Sequence, residues 1–314
     1  MDGIRPLFEP LQIGKKNFRN RIIMAPMVVH RGVSTAEGQK WYGDRAKGGV
    51  SLVIVEATSV TRFGQDLNED NLRPLVDAIH DGGALAGIQL FPGTIGQSAT
   101  PTQMEFKEVM LLLGYYMIAA RICANAGFDA IEPHGAHGYL LNQFFSPVQN
   151  QRTDEFGGTL EKRMRLGLGT IQAVRDIAKK NDMLILYRHT PIGAGYGIDE
   201  SLAFVDELVK EGVDILDISP ASESAPADRA EPFMKSGIPV IAVNELDDTK
   251  RSLEALNKKR ANLIAIGRAL IADPELPNKI REGRFDDIIK CTRCNECFND
   301  LRKGIPVSCT QWES

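Results

Sequence analysis

A surplus of positive charge, an apolar run of membrane length and a dense spread of cysteines are all missing from this 314-residue chain. Lys and Arg number 37 against 41 Asp and Glu, a formal charge of -4, so the basic excess that drives sequence-independent binding to nucleic acid is absent. The opening Met1-Asp2-Gly3-Ile4-Arg5-Pro6 has neither the basic n-region nor the apolar core of a secretory signal, and no run approaches the ~20 apolar residues that span a bilayer. We therefore expect a cytoplasmic protein with neither nucleic acid nor membrane as partner. Also missing is a G-x-G-x-x-G after the first apolar segment, which reads Ala25-Pro26-Met27-Val28-Val29. Without those glycines the backbone cannot close on a pyrophosphate as an open doubly wound sheet does.

What is present is the composition of a folded globular chain, 43% hydrophobic and 25% charged, which argues against disorder. Short β-branched and aliphatic runs at 22–27, 52–57, 85–90, 130–134, 184–188, 215–219, 240–243 and 263–267 alternate with helix-like stretches at 38–47, 72–81, 106–125, 160–179, 200–211 and 247–258. Eight strand-then-helix units predict an α/β fold, a TIM (β/α)8 barrel of parallel strands. Residues 8–20, with Gly14 beside two lysines, read as a hairpin over the N-terminal mouth of that barrel. No linker interrupts the pattern before Asp286, so we divide the chain into a barrel at 1–285 and a cysteine-rich extension at 286–314 that follows a last helix at 274–282.

In a barrel of this kind chemistry sits where apolar strands end in polar residues. Glu56, Gln89, His134, His137, Tyr139, Arg188, Asp217, Asn244 and Arg268 meet that description. Two imidazoles three residues apart could ligate a metal, bind a carbonyl oxygen or satisfy loop carbonyls, and Tyr139 could be an apolar wall. Arg188 ends an otherwise apolar strand, where a charge needs a partner: Glu56, Asp217 or a ligand. Gly267-Arg268 follows the last strand, a usual place for a phosphate.

Four of the five cysteines, Cys291, Cys294, Cys297 and Cys309, lie close together near the end, which in a cytosolic chain favours metal over disulfide. Three thiols at tight spacing with a distant fourth suit a [4Fe-4S] cubane, and zinc is the rival occupant. Cys123, alone in an apolar stretch, reads as a small core residue.

The wording of these segments closely resembles the old yellow enzyme family of FMN oxidoreductases. The resemblance rests on Asn20-Arg21-Ile22-Ile23-Met24-Ala25-Pro26-Met27, Glu56-Ala57-Thr58, Ile88-Gln89-Leu90, His134 to Tyr139, Arg152-Thr153-Asp154-Glu155-Phe156-Gly157-Gly158-Thr159 and Gly267-Arg268. It implies that Ala25, Pro26, Met27, Val28 and Ala57 line FMN and that Gln89 bonds the pyrimidine edge of the flavin. It further implies that Arg188 lies beside the N1/C2 carbonyl region, with Val243, Asn244, Gly267 and Arg268 around the phosphate. His134 and His137 would then hydrogen-bond the oxygen of an activated substrate, and Tyr139 would donate the proton.

The chain departs from the family in three places. A short loop follows Phe91, Val28 stands where a cysteine or threonine is frequent, and Asn244 stands where glycine is usual. The approach from Ile271-Ala272-Asp273-Pro274 into the cysteine spacing resembles the branch of trimethylamine dehydrogenase and 2,4-dienoyl-CoA reductase, which implies a [4Fe-4S] cluster beside the barrel. The expected activity is reduction of the C=C bond of an α,β-unsaturated carbonyl. NAD(P)H or an external electron-donor protein would supply electrons, and the chain is expected to be a homo-oligomer. The competing readings are an amine dehydrogenase, an FMN and iron–sulfur electron-transfer subunit of a larger complex, and a flavin-free sugar-phosphate isomerase.

Overall fold

Side chains alternate across a β-strand, so a strand buried on both faces sorts its residues into an inner and an outer set. That sorting organises the computed structural model, which describes residues 2–93, 100–220 and 227–312. Strands β3 (Ile22–Met24), β4 (Leu52–Ser59), β5 (Leu85–Phe91), β6 (Ala130–Gly135), β7 (Leu184–His189), β8 (Ile215–Ile218), β9 (Val240–Val243) and β10 (Leu263–Ile266) are parallel, and β10 pairs with β3 to close the barrel. All eight strands predicted from the sequence are present. Ile23, Ala25, Leu52, Ile54, Ala130, Leu184, Leu186, Ile215, Ile241, Leu263 and Ala265 fill the interior. Their neighbours in sequence, among them Ile22, Val53, Ile131, Ile185 and Leu216, face the surrounding helices.

The hairpin of β1 (Leu11–Ile13) and β2 (Lys16–Phe18) turns at Gly14, whose φ of 53° is left-handed, and delivers Ile13 and Phe18 into the lower end of the barrel. This is the plug the sequence predicts. Around the barrel run α1 (Arg5–Phe8), α2 (Ala36–Lys47), α3 (Glu69–Asp81), α4 (Phe106–Ala126), α5 (Leu140–Phe145), α6 (Leu160–Lys180), α7 (Ile198–Glu211), α8 (Thr249–Asn257), α9 (Arg268–Ala272), α10 (Leu276–Glu282) and α11 (Glu296–Lys303). The crossover from β8 to β9 carries a 3-10 segment, Ala227–Ser236, with Pro232 inside it.

One sequence expectation is corrected here. Helix α4 is long and apolar enough by composition to cross a membrane, although the sequence reading found no such run. Its tyrosines, glycine and few charged residues interrupt the apolar run, but its Val, Leu, Ile, Met and Ala residues keep the mean hydropathy high. Val109, Leu112, Tyr116, Ala119, Ala120 and Cys123 are buried, so one face of α4 belongs to the barrel's outer core. Burial also raises the thiol pKa of Cys123, in keeping with a packing role.

Candidate active site at the carboxyl ends of the strands

Two residues above the apolar interior, the same alternation puts polar groups inside the barrel. Gln89 pairs in register with Glu132 of β6, while His134 pairs with Arg188 of β7 and Arg188 with Asp217 of β8. All five side chains are buried. Gln89 Nε2 donates to Glu132 Oε1 at 2.7 Å, and Arg188 Nη2 donates to Ser219 Oγ at 3.1 Å. Arg188 Nε stands 3.4 Å from Asp217 Oδ2, an ion pair without a formed hydrogen bond. Of the two ion-pair partners the sequence allowed, the structure selects Asp217.

Glu56 lies elsewhere because β4 changes register between Val55 and Thr58. Its carboxylate accepts from the Val29 backbone N–H at 2.7 Å and from the Tyr42 hydroxyl at 3.2 Å. Burial raises its pKa. It thus fastens the loop after β3 to α2 and takes no part in the polar layer.

Above that layer sit the residues of the Pro133–Leu140 stretch. The His134 ring lies 5.3 Å from that of His137 and 5.2 Å from that of Tyr139, centroid to centroid. Phe91, the last residue of β5, packs edge-on against Tyr139 at 5.1 Å and forms an aromatic wall beside it. His134 is 4% exposed, whereas Tyr139, the residue capping α5, is 48% exposed. His137 has a left-handed φ of 60°, held by its backbone N–H donating to Thr190 Oγ1 at 2.9 Å and by Nε2 lying 2.8 Å from Ser219 Oγ. Burial pushes the pKa of His134 well below the ordinary value, with His137 and Arg188 adding to the shift. Burial, then Arg188, brings His137 down to about 3. Both rings are therefore neutral at physiological pH.

The remaining sequence candidates ring the same end. Ala25 N–H donates to Ile266 O at 2.9 Å, which sets the end of β3 beside that of β10. A Cβ on Gly267 would meet Met27 Sδ at 2.8 Å, so only glycine leaves Met27 its place. Met27, Val28 and Ala57 are partly exposed there, as is Val243 at the end of β9. Asn244 takes a φ of 100°, the left-handed region where glycine is favoured and asparagine is the usual substitute. Arg268 Nη1 donates to Asn295 Oδ1 at 2.6 Å, joining the loop after β10 to the cysteine segment.

That segment is tied down at several points. Arg293 pairs with Asp247 at 3.0 Å, Val307 N–H donates to Val29 O at 3.0 Å, and Trp312 Nε1 donates to Ala272 O at 3.1 Å. Cys291, Cys297 and Cys309 pack partly buried against the core, while Cys294 is exposed with Sγ 3.4 Å from Thr310 Oγ1. That hydroxyl lowers the Cys294 pKa, and burial followed by the Cys291 thiol raises that of Cys297. Among the described residues no group of three or more His, Cys, Asp or Glu is gathered to hold a metal ion.

The chain as a whole has known counterparts. The sequence matches the pattern of the NADH:flavin oxidoreductase / NADH oxidase family over residues 6–97 and 93–287. The chain belongs to that family. Within it, the chain is 31% identical to a metal reductase of Desulforamulus reducens across 96% of its own length and 53% of the relative's. It is 32% identical to an NADPH dehydrogenase of Clostridium acetobutylicum, covering 85% of this chain and 92% of that one. Among solved structures, histamine dehydrogenase from Rhizobium sp. 4-9 superposes with a TM-score of 0.85 at 27% identity, over 98% of this chain and 52% of that one. The chain thus spans about half the length of the metal reductase and of the histamine dehydrogenase.

Two residues of the site escaped the sequence reading. Glu132 sits two positions before His134 on one strand, so the period-two rule places both on the inner face. Ser219 lies two beyond Asp217 and carried no signal beyond that spacing.

Proposed function

We propose that this chain is an FMN-dependent ene-reductase that reduces the activated C=C bond of an α,β-unsaturated carbonyl compound. The observation that carries the reading is the pairing of two neutral imidazoles with an exposed tyrosine above the buried Arg188 guanidinium. Bound FMN would supply hydride. Ala25, Pro26, Met27, Val28 and Ala57 would line it, Gln89 and Arg188 would meet its polar edge, and Val243, Asn244, Gly267 and Arg268 would hold its phosphate. The residues fit such a group: Arg188 Nε is buried without a hydrogen-bond partner, and the side-chain-free Gly267 leaves room against Met27. A guanidinium at that edge favours negative charge there.

The histidines act through assigned tautomers. The Ala136 N–H donates to His134 Nδ1 at 3.3 Å, so Nδ1 is the acceptor and Nε2 carries the proton. Ser219 Oγ accepts from Arg188 and gives its own proton to His137 Nε2, which leaves His137 with an Nδ1–H. Each ring thus offers one N–H to a carbonyl oxygen, which polarises the conjugated alkene and stabilises charge as it develops on that oxygen. Tyr139, whose hydroxyl meets no protein partner among the described residues, is placed to give a proton to the α-carbon.

The extension at 286–314 is proposed to bind a [4Fe-4S] cluster through Cys291, Cys294, Cys297 and Cys309. Four thiols are the donor set such a cluster takes, the described cysteines would have to draw together to bind it, and it would supply single-electron relay. NAD(P)H, named in the family's description and in the NADPH dehydrogenase relative, is the proposed donor, with an electron-transfer protein as the alternative. The likeness to histamine dehydrogenase favours a second reading, oxidation of an amine at the same site.

The test is an anaerobic absorption spectrum of purified protein with iron and acid-labile sulfide assayed on the same sample, followed by turnover with NAD(P)H and an enone or an amine. Flavin bands with enone reduction support the proposal. About four irons per chain support the cluster. Colourless protein overturns the flavin reading, and amine oxidation without enone reduction replaces it with the second.

A further inference from the structure

Inside the barrel, below the histidines, the charges do not cancel as they stand. Glu132 is 1% exposed and Asp217 0%, and Arg188 is the one cation that faces them from the inner sides of the described strands. The other groups around them are Gln89 from β5, the neutral His134 and His137, and Ser219, while β3, β4, β9 and β10 contribute apolar Ala25, Ile54, Val243 and Ala265. With both carboxyls ionised the set would bury a net negative charge among apolar neighbours, a state that proteins avoid by taking up a proton.

The hydrogen bonding points the same way. Gln89 serves Glu132 Oε1, but Glu132 Oε2 and both oxygens of Asp217 are buried without a formed hydrogen bond, and the two carboxyls project inward from β6 and β8 on either side of Arg188 on β7. A single proton between the carboxyls joins Glu132 Oε2 to one Asp217 oxygen as donor and acceptor, and leaves the other Asp217 oxygen to the Arg188 guanidinium, whose Nε lies 3.4 Å from Oδ2.

We propose that Glu132 and Asp217 share one proton beneath Arg188, so that Glu132, Asp217 and Arg188 together are electrically neutral and act as positioning residues that fix the charge offered to a ligand above. The carboxyl half of this inference stands on the chain alone. Its consequence for the ligand rests on the proposed flavin site.

The carboxyl half is read by infrared spectroscopy of the purified protein at neutral pH in H2O and in D2O. A deuterium-sensitive carbonyl band of a protonated carboxyl is expected in the native protein and is lost in both Glu132→Gln and Asp217→Asn, because either variant leaves one carboxylate for one guanidinium. In flavin-loaded samples each single variant keeps the native flavin midpoint potential, and the double variant raises it. Absence of the band from the native protein, or its survival in both single variants, overturns the shared proton. A potential that rises in each single variant as it does in the double overturns it as well. Should the Asp217 variants fail to fold, Glu132→Gln alone decides: loss of the band with the native potential supports the shared proton, and survival of the band or a raised potential overturns it. A preparation without flavin defeats the flavin reading while leaving the infrared result to decide the carboxyl pair.

Discussion

The floor and the roof of this barrel are built from the same strands by the same alternation, yet they differ in what they bury. At the floor, Leu52, Leu184, Ile215, Ile241 and Leu263 close over Ile13 and Phe18 as one apolar cluster. One or two pleats further on, Ala130 gives way to Glu132 and His134, Leu186 to Arg188, and Ile215 to Asp217. Each apolar residue at the floor gains roughly 1.5–3 kcal/mol on burial. Each group at the roof loses hydration and recovers it only in part through Gln89, Ser219 and the Arg188–Asp217 pair. The difference teaches which end holds the fold together and which end is shaped by something other than stability.

The largest expected effect breaks the roof without touching the floor. Tyr139→Phe removes a hydroxyl from a half-exposed ring and leaves its contacts with Phe91 and His134. Enone turnover should fall by ~10²–10⁴-fold, the range for a positioned proton donor, while flavin content and unfolding midpoint stay native. Turnover within a few-fold of native would move the proton donor elsewhere. The next breaks the floor without touching the roof. Phe18→Ala empties a fully buried site in the plug and should cost about 3–5 kcal/mol in denaturant unfolding, with flavin affinity unchanged. A loss of flavin affinity equal to the loss of stability would mean that the two ends are one mechanical unit.

How much of this could be read beforehand follows the same division. Floor positions announce themselves as aliphatic runs, so all eight strands, the plug and most helices were predictable from pattern. The roof was readable only where a polar residue interrupts a run visibly, as at Gln89, His134 and Arg188. Glu132 lies inside the predicted strand 130–134 rather than at its end, so a search for polar residues that end apolar runs passed over it, whereas β6 runs through Gly135 and puts Glu132 on its inner face. Glu56 looked like a roof residue until the register change in β4 turned it toward Tyr42. The short helix α5 was missed because six residues carry too little periodicity to separate a helix from a loop. Which cation meets which carboxylate is a matter of neighbouring strands, and no reading along one strand supplies it.

The smallest expected effect sharpens the comparison through pH. His137 and His189 are both held neutral by burial, with pKa values brought down to about 3. Unfolded, each titrates near 6.5. The stability that comes from keeping them neutral is therefore complete above pH ~6.5 and drains away as the pH falls toward 3, because the unfolded chain binds the protons first. Glu132 and Asp217, whose pKa values burial raises, act in the opposite sense and blunt the loss. His137→Gln keeps a hydrogen-bonding side chain beside Ser219 and removes one titrating group. Relative to the native protein it should gain about 1 kcal/mol between pH ~7.5 and ~5.5 in urea unfolding, since one proton bound only by the unfolded chain is worth about 1.4 kcal/mol per pH unit. Phe18→Ala, a floor variant, should run parallel to the native protein over the same range. Parallel lines for His137→Gln as well would mean that His137 titrates in the folded chain as it does unfolded, and a native protein that gained on the variant as the pH fell would mean that an imidazolium, not a neutral imidazole, meets the substrate oxygen.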